Sequence, residues 1–293
     1  MIQYVKRKDL NILKYDACIE NSIQSRIYAF SWYLDIVADN WDVLVLGDYK
    51  AVMPLPWKQK YFIKYITQPF FCQQLGVFAL EKLATKTQEE LIKKIPRRFL
   101  NVSLNFNSGN YFVSKMFKKN NCVLEIYSSY LLNYKKFNKN RKRIIKMTQK
   151  IPLYLKETGI NSLLKIAKEN YSYLPYKDSD YKRIDLLSKK LKNNKHGFVL
   201  GVFKDEKLLG GVFFLKDNYR ITYLFSVMNK EGKKLNAITF LISELIKDFE
   251  GKNYILDFEG SMNIGIANFF KSFGAVNENY YQFKTNAFQR RFI

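Results

Sequence analysis

Apolar residues recur along this chain at two spacings, one suited to helices and one to strands. Steps of three and four over 8–20 and 31–38 predict two early helices, with Ser31 placed to cap the second. Short apolar runs at 43–46, 51–56, 61–63 and 75–78 predict strands, and Gly47-Asp48 between the first two reads as a hairpin turn. A helix opens at Thr87 and stops near Pro96, whose ring clashes with a preceding helical turn. Two more strands are predicted around 101–106 and 122–128.

The last hundred residues carry the clearest pattern. Strands are predicted over 198–203, 208–215 and 219–227, separated by the polar turns at 204–207 and 217–218. The second is apolar throughout, which implies that both its faces are covered. A loop over 228–234 leads into a helix with Leu235, Ile238, Leu241, Ile242, Leu245, Ile246 and Phe249 on one face. A strand over 254–258, a turn, a helix bearing Ile266, Phe269, Phe270 and Phe273, and an aromatic strand over 275–283 complete the order. Gly274 stands where a helix commonly ends in a left-handed residue.

Residues 134–150 are the densest basic segment. At about 100° per residue, Phe137, Ile144, Ile145 and Thr148 share one face, and Lys139, Lys142, Arg143, Lys146 and Lys150 form a stripe on the other. Arg141 alone among the basic residues falls inside the apolar arc. A guanidinium there needs a carboxylate partner or an anionic ligand, because an unpaired buried charge is costly.

Composition narrows the chemistry. The 293 residues carry 49 Lys plus Arg against 26 Asp plus Glu, a formal charge of +23. The surface therefore attracts anions, whether nucleic acid, a phosphorylated carrier or an anionic membrane face. Only 10 of the basic residues are arginine, which disfavours sequence-specific reading of DNA. Cys18, Cys72 and Cys122 are widely spaced, and His196 is the sole histidine, so neither a zinc site nor a Ser-His-Asp relay is expected. No apolar stretch reaches membrane-spanning length, and the charged opening residues lack the apolar core of a signal peptide. The expectation is a cytoplasmic protein with no metal, acting through carboxylates, tyrosines, lysines and backbone groups.

Three stretches resemble a known family. They are the basic run Lys139-Asn140-Arg141-Lys142-Arg143-Ile144-Ile145-Lys146, the strands from Leu208 to Phe213 and from Tyr223 to Ser226, and Leu256-Asp257-Phe258-Glu259-Gly260-Ser261 with Phe269-Phe270-Lys271-Ser272-Phe273-Gly274. They are similar to the Fem-type peptidoglycan aminoacyltransferases, within the GNAT acyl-CoA N-acyltransferase superfamily. The resemblance implies an α/β fold of two tandem GNAT-like domains, each a mixed β-sheet flanked by helices. The expected domains are 1–145 and 146–293.

It further implies a transferase moving an acyl or aminoacyl group onto an amine of a small or cell-envelope precursor acceptor. The expected partners are therefore a small-molecule acyl donor and an amine acceptor. No cofactor is expected to be held tightly; acyl-CoA or aminoacyl-tRNA would be the co-substrate. The loop before the helix at 235–249 would bind the donor through Gly232, Lys233, Lys234 and Asn236, where free amides and a helix dipole favour an anion. A single glycine there departs from the usual acetyl-CoA signature and suits an aminoacyl-tRNA donor better. Asp257 and Glu259, two apart on a strand, face the same way, so one can act as general base towards the amine. Glu259 is the stronger candidate; for Asp257 a structural pair with a core arginine such as Arg141 is the favoured reading, because a carboxylate between Leu256 and Phe258 needs a permanent partner. Tyr223 is the candidate for protonating a leaving group, and Arg141 and Tyr33 are candidates for binding substrate. The alternative is a non-catalytic module of the same fold that docks nucleic acid, tRNA included, or the periphery of an anionic membrane.

Overall fold

The computed structural model describes residues 1–113, 116–171, 173, 176–260 and 262–286. The chain divides into two compact units, Met1–Asn120 together with the residues from Asn279 onward, and Asn121–Glu278.

The first unit begins with β1 (Ile2–Lys6), α1 (Ile12–Asn21) and α2 (Ser31–Val37). It continues with β2 (Asn40–Leu46), β3 (Ala51–Lys60), β4 (Ile63–Thr67), β5 (Phe78–Ala79), α3 (Thr85–Lys93) and β6 (Phe99–Phe106). The chain then runs through β7 (Phe117–Glu125), α4 (Tyr130–Lys136), α5 (Lys139–Thr148), β8 (Tyr154–Glu157), α6 (Ile160–Asn170) and α7 (Asp178–Asn193). Next come β9 (Gly197–Lys204), β10 (Lys207–Lys216), β11 (Arg220–Met228), α8 (Lys230–Lys234) and α9 (Ala237–Asp248). The last elements are β12 (Ile255–Asp257), α10 (Ile264–Lys271) and β13 (Val276–Thr285).

Both units repeat one sheet plan. In the first the order is β1-β2-β3-β4-β6-β13, antiparallel except for the parallel β4–β6 pair, with β5 beside β3. In the second it is β8-β9-β10-β11-β12-β7, antiparallel except for the parallel β11–β12 pair. The sixth place in each sheet is filled from outside the local chain order: β13 completes the first unit, and β7, which precedes β8, completes the second.

The division falls at Asn120/Asn121, ahead of the expected 145/146, because Phe137 and Ile145 from the basic segment are buried in the core of the second unit. There they join Val212, Phe214 and Ile221 from the sheet, Leu241 and Leu245 from α9, and Phe273 beyond α10. On the other face of β10, Gly211 lies against Leu163 of α6, so this apolar strand is covered on both sides. In the first unit Tyr15, Tyr28, Tyr33, Phe78, Phe99 and Phe106 are fully buried.

Three local expectations are corrected. Ser31 is not a cap; its backbone N–H and hydroxyl donate to Asp16 at 2.8 and 2.6 Å from inside the first turn of α2. The run 61–63 is not a strand, since Lys60 pairs directly with Ile63 and Tyr61-Phe62 form the turn between β3 and β4. The basic segment is two helices rather than one, broken at Phe137-Asn138, where Asn138 leaves helical geometry and accepts the N–H of Arg141 at 2.8 Å.

Candidate active site

In the second unit β11 and β12 run parallel for only three residues, Arg220–Thr222 opposite Ile255–Asp257. Beyond them the strands pair no further. On β11 the register shifts at Leu224, a bulge that interrupts the alternation of side chains along the strand. On the other side the chain leaves β12 by a sharp turn. The Phe258 N–H donates to the Cys122 carbonyl at 2.9 Å, and both Glu259 and Gly260 have φ of 52°. A glutamate in the left-handed region is uncommon, and such conformations gather at functional sites. Ser261, the last residue of the turn expected to border the cleft, lies outside the described residues.

Asp257 is the structural member of the carboxylate pair. It is buried, accepts Arg220 Nη1 at 2.7 Å on one oxygen, and accepts Asn121 Nδ2 at 2.8 Å on the other. Its partner is thus Arg220, not Arg141. That second oxygen also receives the Glu259 N–H at 3.1 Å, so Asp257 fixes the turn that carries Glu259. Arg220 reaches onward to Glu278 at 2.6 and 3.1 Å. Glu259 itself is half-buried, and withdrawal from water pushes its carboxyl up from the ordinary 4.5 to about 8.

Tyr223 is half-buried beside this turn, its ring 6.3 Å from that of Phe258 and edge-on to Phe270 at 5.6 Å. Burial raises its phenol well above the usual range, moderated by a hydrogen bond with Ser226. Tyr171, which sequence reasoning missed, closes the far end of β11. Its hydroxyl accepts the Met228 N–H at 3.0 Å and donates to the Met228 carbonyl at 3.1 Å, standing where a neighbouring strand would pair. No spacing in the sequence marks it.

The expected donor loop is helical. In α8 the N–H of Gly232 already donates to Asn229 Oδ1 at 2.8 Å, and its α-carbon packs against Leu209, where an added Cβ would meet the carbonyl at 2.7 Å. Gly232 therefore has a packing reason. Lys233 and Lys234 are exposed, and the Lys233 ammonium stands 4.2 Å from the centre of the Tyr171 ring. Asn236, at φ 55°, kinks the chain from α8 into α9 and makes no side-chain cap. The first intrahelical bonds of α9 start at Thr239 and Phe240; at the positive end of the helix Ala237 is fully buried, and Ile238 is the half-buried residue whose N–H precedes those bonds.

Arg141 turns inward as the wheel predicts. It is buried, donates through Nε to Ser272 Oγ at 2.8 Å and through Nη1 to Thr239 Oγ1, and is flanked by Phe269 and Phe273 at 4.4 and 4.6 Å. No carboxylate among the described residues pairs with it, and burial lowers its guanidinium from 12.5 to about 10. The basic stripe faces out: Lys139, Arg143, Lys146 and Lys150 are exposed and Lys142 is half-buried. Tyr33, by contrast, is fully buried in the first unit with its hydroxyl donated to the Phe71 carbonyl, so it presents no polar group to a substrate.

The first unit handles the equivalent place differently. Beyond its parallel β4–β6 pair, Leu75 lies alongside β6, taking the Asn107 N–H at 2.8 Å and donating to the Asn105 carbonyl at 2.9 Å. Gly76 at φ 92° lets this segment approach, since a Cβ there would come within 2.9 Å of Phe106 Cα. In the first unit the place beyond the parallel pair is thus taken by the chain's own backbone; in the second, among the described residues, the β11–β12 pairing ends at Thr222 and Asp257 with no such backbone segment beside it.

No protein-family model matches the chain, and no curated protein matches it. Among solved structures it is similar to FemX, with a TM-score of 0.68 over 99% of both chains at 10% identity. A tandem GNAT protein from the clavulanic acid biosynthesis pathway matches with a TM-score of 0.57 at 8% identity, over 98% of this chain and 99% of that one. L-PGS from Bacillus licheniformis matches with a TM-score of 0.55 at 10% identity, over 94% and 91%. At these identities the likeness is one of fold, and the chain has the tandem GNAT-like α/β fold of FemX along its whole length.

Proposed function

We propose that the chain is an N-acyl or aminoacyl transferase whose chemistry takes place in the second unit, where β11 and β12 part. The observation that carries this reading is Glu259: a carboxyl raised to about 8, in a left-handed turn anchored by Asp257, at the end of the β11–β12 pairing. A base of that pKa matches an amine nucleophile. The amine nitrogen attacks the donor's thioester or ester carbonyl while Glu259 takes its proton. An amide bond forms, the bond to sulfur or oxygen breaks, and Tyr223, held protonated by burial, supplies the proton to the leaving group. The N–H of Ile238 at the start of α9, with Lys233 and Lys234, favours the donor's phosphates, whether the donor is acyl-CoA or aminoacyl-tRNA. The fold of FemX and of L-PGS supports this class of reaction, and a cell-envelope precursor is the acceptor class we favour.

The test is transfer itself. The full chain is incubated with acyl-CoAs or aminoacyl-tRNA and with amine acceptors that include UDP-linked muropeptides, and amide products are read by mass. At least one pair should give product; none across the panel would contradict the reading. Replacing Lys233 and Lys234 by Ala should raise KM for the donor severalfold, leave kcat near the native value and flatten the salt dependence of donor binding, because both ammoniums are exposed. Unchanged KM and salt dependence would remove them from the donor site.

Arg141 provides a separate check. A buried cation without a carboxylate is expendable for stability if its purpose is to hold an anion. Arg141→Met should therefore keep or raise the thermal midpoint, since apolar replacement of a buried charge is often neutral or stabilising. It should also raise KM for an anionic substrate by about tenfold, the loss of one charge-assisted contact. A lower midpoint with unchanged KM would assign Arg141 to the core alone.

A further inference from the structure

We propose that the tip of the β3–β4 hairpin in the first unit inserts into an anionic phospholipid surface. This site is separate from the transferase reading and does not depend on it. The tip is a two-residue turn, Tyr61-Phe62, closed by the pairing of Lys60 with Ile63. Turns of this length favour glycine, asparagine or aspartate, because the backbone must enter the left-handed region. Here Tyr61 adopts φ 52°, an unfavourable conformation for a bulky aromatic residue. The two side chains repay nothing to the fold: Tyr61 is 82% and Phe62 98% exposed, and the neighbouring Ile63 is also exposed.

Two large aromatic side chains at a strained turn, both in water, point to an apolar environment outside the protein. The charges around them say which one. Between Asp48 and Glu81 the sequence contains no acidic residue, while Lys58, Lys60 and Lys64 flank the tip. Lys58 is paired with Asp39 at 3.2 Å, Lys60 lies 5.7 Å from the Tyr61 ring, and Lys64 lies 4.8 Å from the half-buried Trp57 ring. The ammonium of Lys60 thus stands just behind an apolar tip, where lipid phosphates would meet it once the aromatics enter the acyl boundary, with that of Lys64 farther back along the hairpin over Trp57. Tyrosine favours this interfacial depth, and each lysine near an anionic surface adds attraction. A protein partner fits less well, because two or three side chains at a hairpin end offer far less than the roughly 800 Å² per side of a stable complex.

The test uses the full chain and vesicles of phosphatidylcholine, alone or mixed with phosphatidylglycerol, with binding read by co-sedimentation. The paired replacement Tyr61→Asn and Phe62→Gly installs the sequence the turn prefers, so its thermal midpoint should equal or exceed the native one. The native chain should bind the mixed vesicles, bind pure phosphatidylcholine much less, and lose binding as salt rises. The paired variant should bind the mixed vesicles at least about tenfold more weakly, since it removes two buried aromatic groups. Phe62→Ser alone, which leaves Tyr61 and its backbone in place, should give most of that loss. The proposal is overturned if the native chain binds neither vesicle, binds both alike, or if either variant binds like the native chain. It is equally overturned if the native chain self-associates without lipid and the variants do not, which would make the tip a contact between copies.

Discussion

Glu259→Gln is expected to make the protein slower and more stable at once. Glutamine keeps the size and polarity of the side chain but cannot accept the amine proton, so turnover should fall by about a hundredfold or more. Stability moves the other way because of the carboxyl's shift from 4.5 to about 8 on folding. Below about pH 4 the group is protonated in both states, and Glu and Gln should be equally stable. As pH rises through the window from about 4.5 to 8 the unfolded chain releases a proton that the folded chain retains, and the folded state loses ground. By pH 7 the difference amounts to about 3 kcal/mol in favour of Gln, levelling off above pH 8. Thermal midpoints of the two proteins at pH 4, 6 and 8 check this. Coincident midpoints at all three values would show that the carboxyl is not withdrawn from water.

The largest loss of stability should come from Arg220→Met. Arg220 is buried and holds Asp257 at 2.7 Å and Glu278 at 2.6 Å. Removing the guanidinium leaves a buried carboxylate without its counter-charge, which costs about 3–5 kcal/mol. Adding Asp257→Asn should recover part of this by removing the stranded charge. It should also bring back part of the activity, because the Asn carbonyl oxygen can still accept the Glu259 N–H and hold its turn. Urea unfolding of the single and double variants measures the first effect and product formation the second. A single variant as stable as the native chain would make the pair a surface-like contact.

What the sequence revealed was governed by short-range periodicity. The strand-strand-strand-helix-strand-helix-strand order at 198–283 appears with one addition, the short helix α8 in place of the expected loop, because each of the expected elements carries its own apolar face. Arg141 stood out for the same reason, as one polar residue within an apolar arc. Contacts set by the tertiary fold were not legible. Nothing local says that β13 completes the sheet of the first unit, or that Arg220, at the first position of β11, is the residue facing Asp257. Tyr171 acts through a hydroxyl bonded to Met228, a partner 57 positions away that no helical or strand spacing links to it. Tyr61 and Phe62 read as a strand because apolar residues usually do; their exposure depends on the pairing of Lys60 with Ile63, which sequence pattern alone did not fix.

Hydrogen exchange in the presence and absence of donors tests the central claim most directly, since it reads where a donor binds without needing the acceptor. Peptides spanning 229–240 and 255–260 should exchange more slowly when an acyl-CoA or aminoacyl-tRNA is bound, with the amide of Ile238 among those protected. A donor that binds but protects only segments of the first unit, or a panel in which no donor slows exchange anywhere, would contradict a donor site at the parting of β11 and β12.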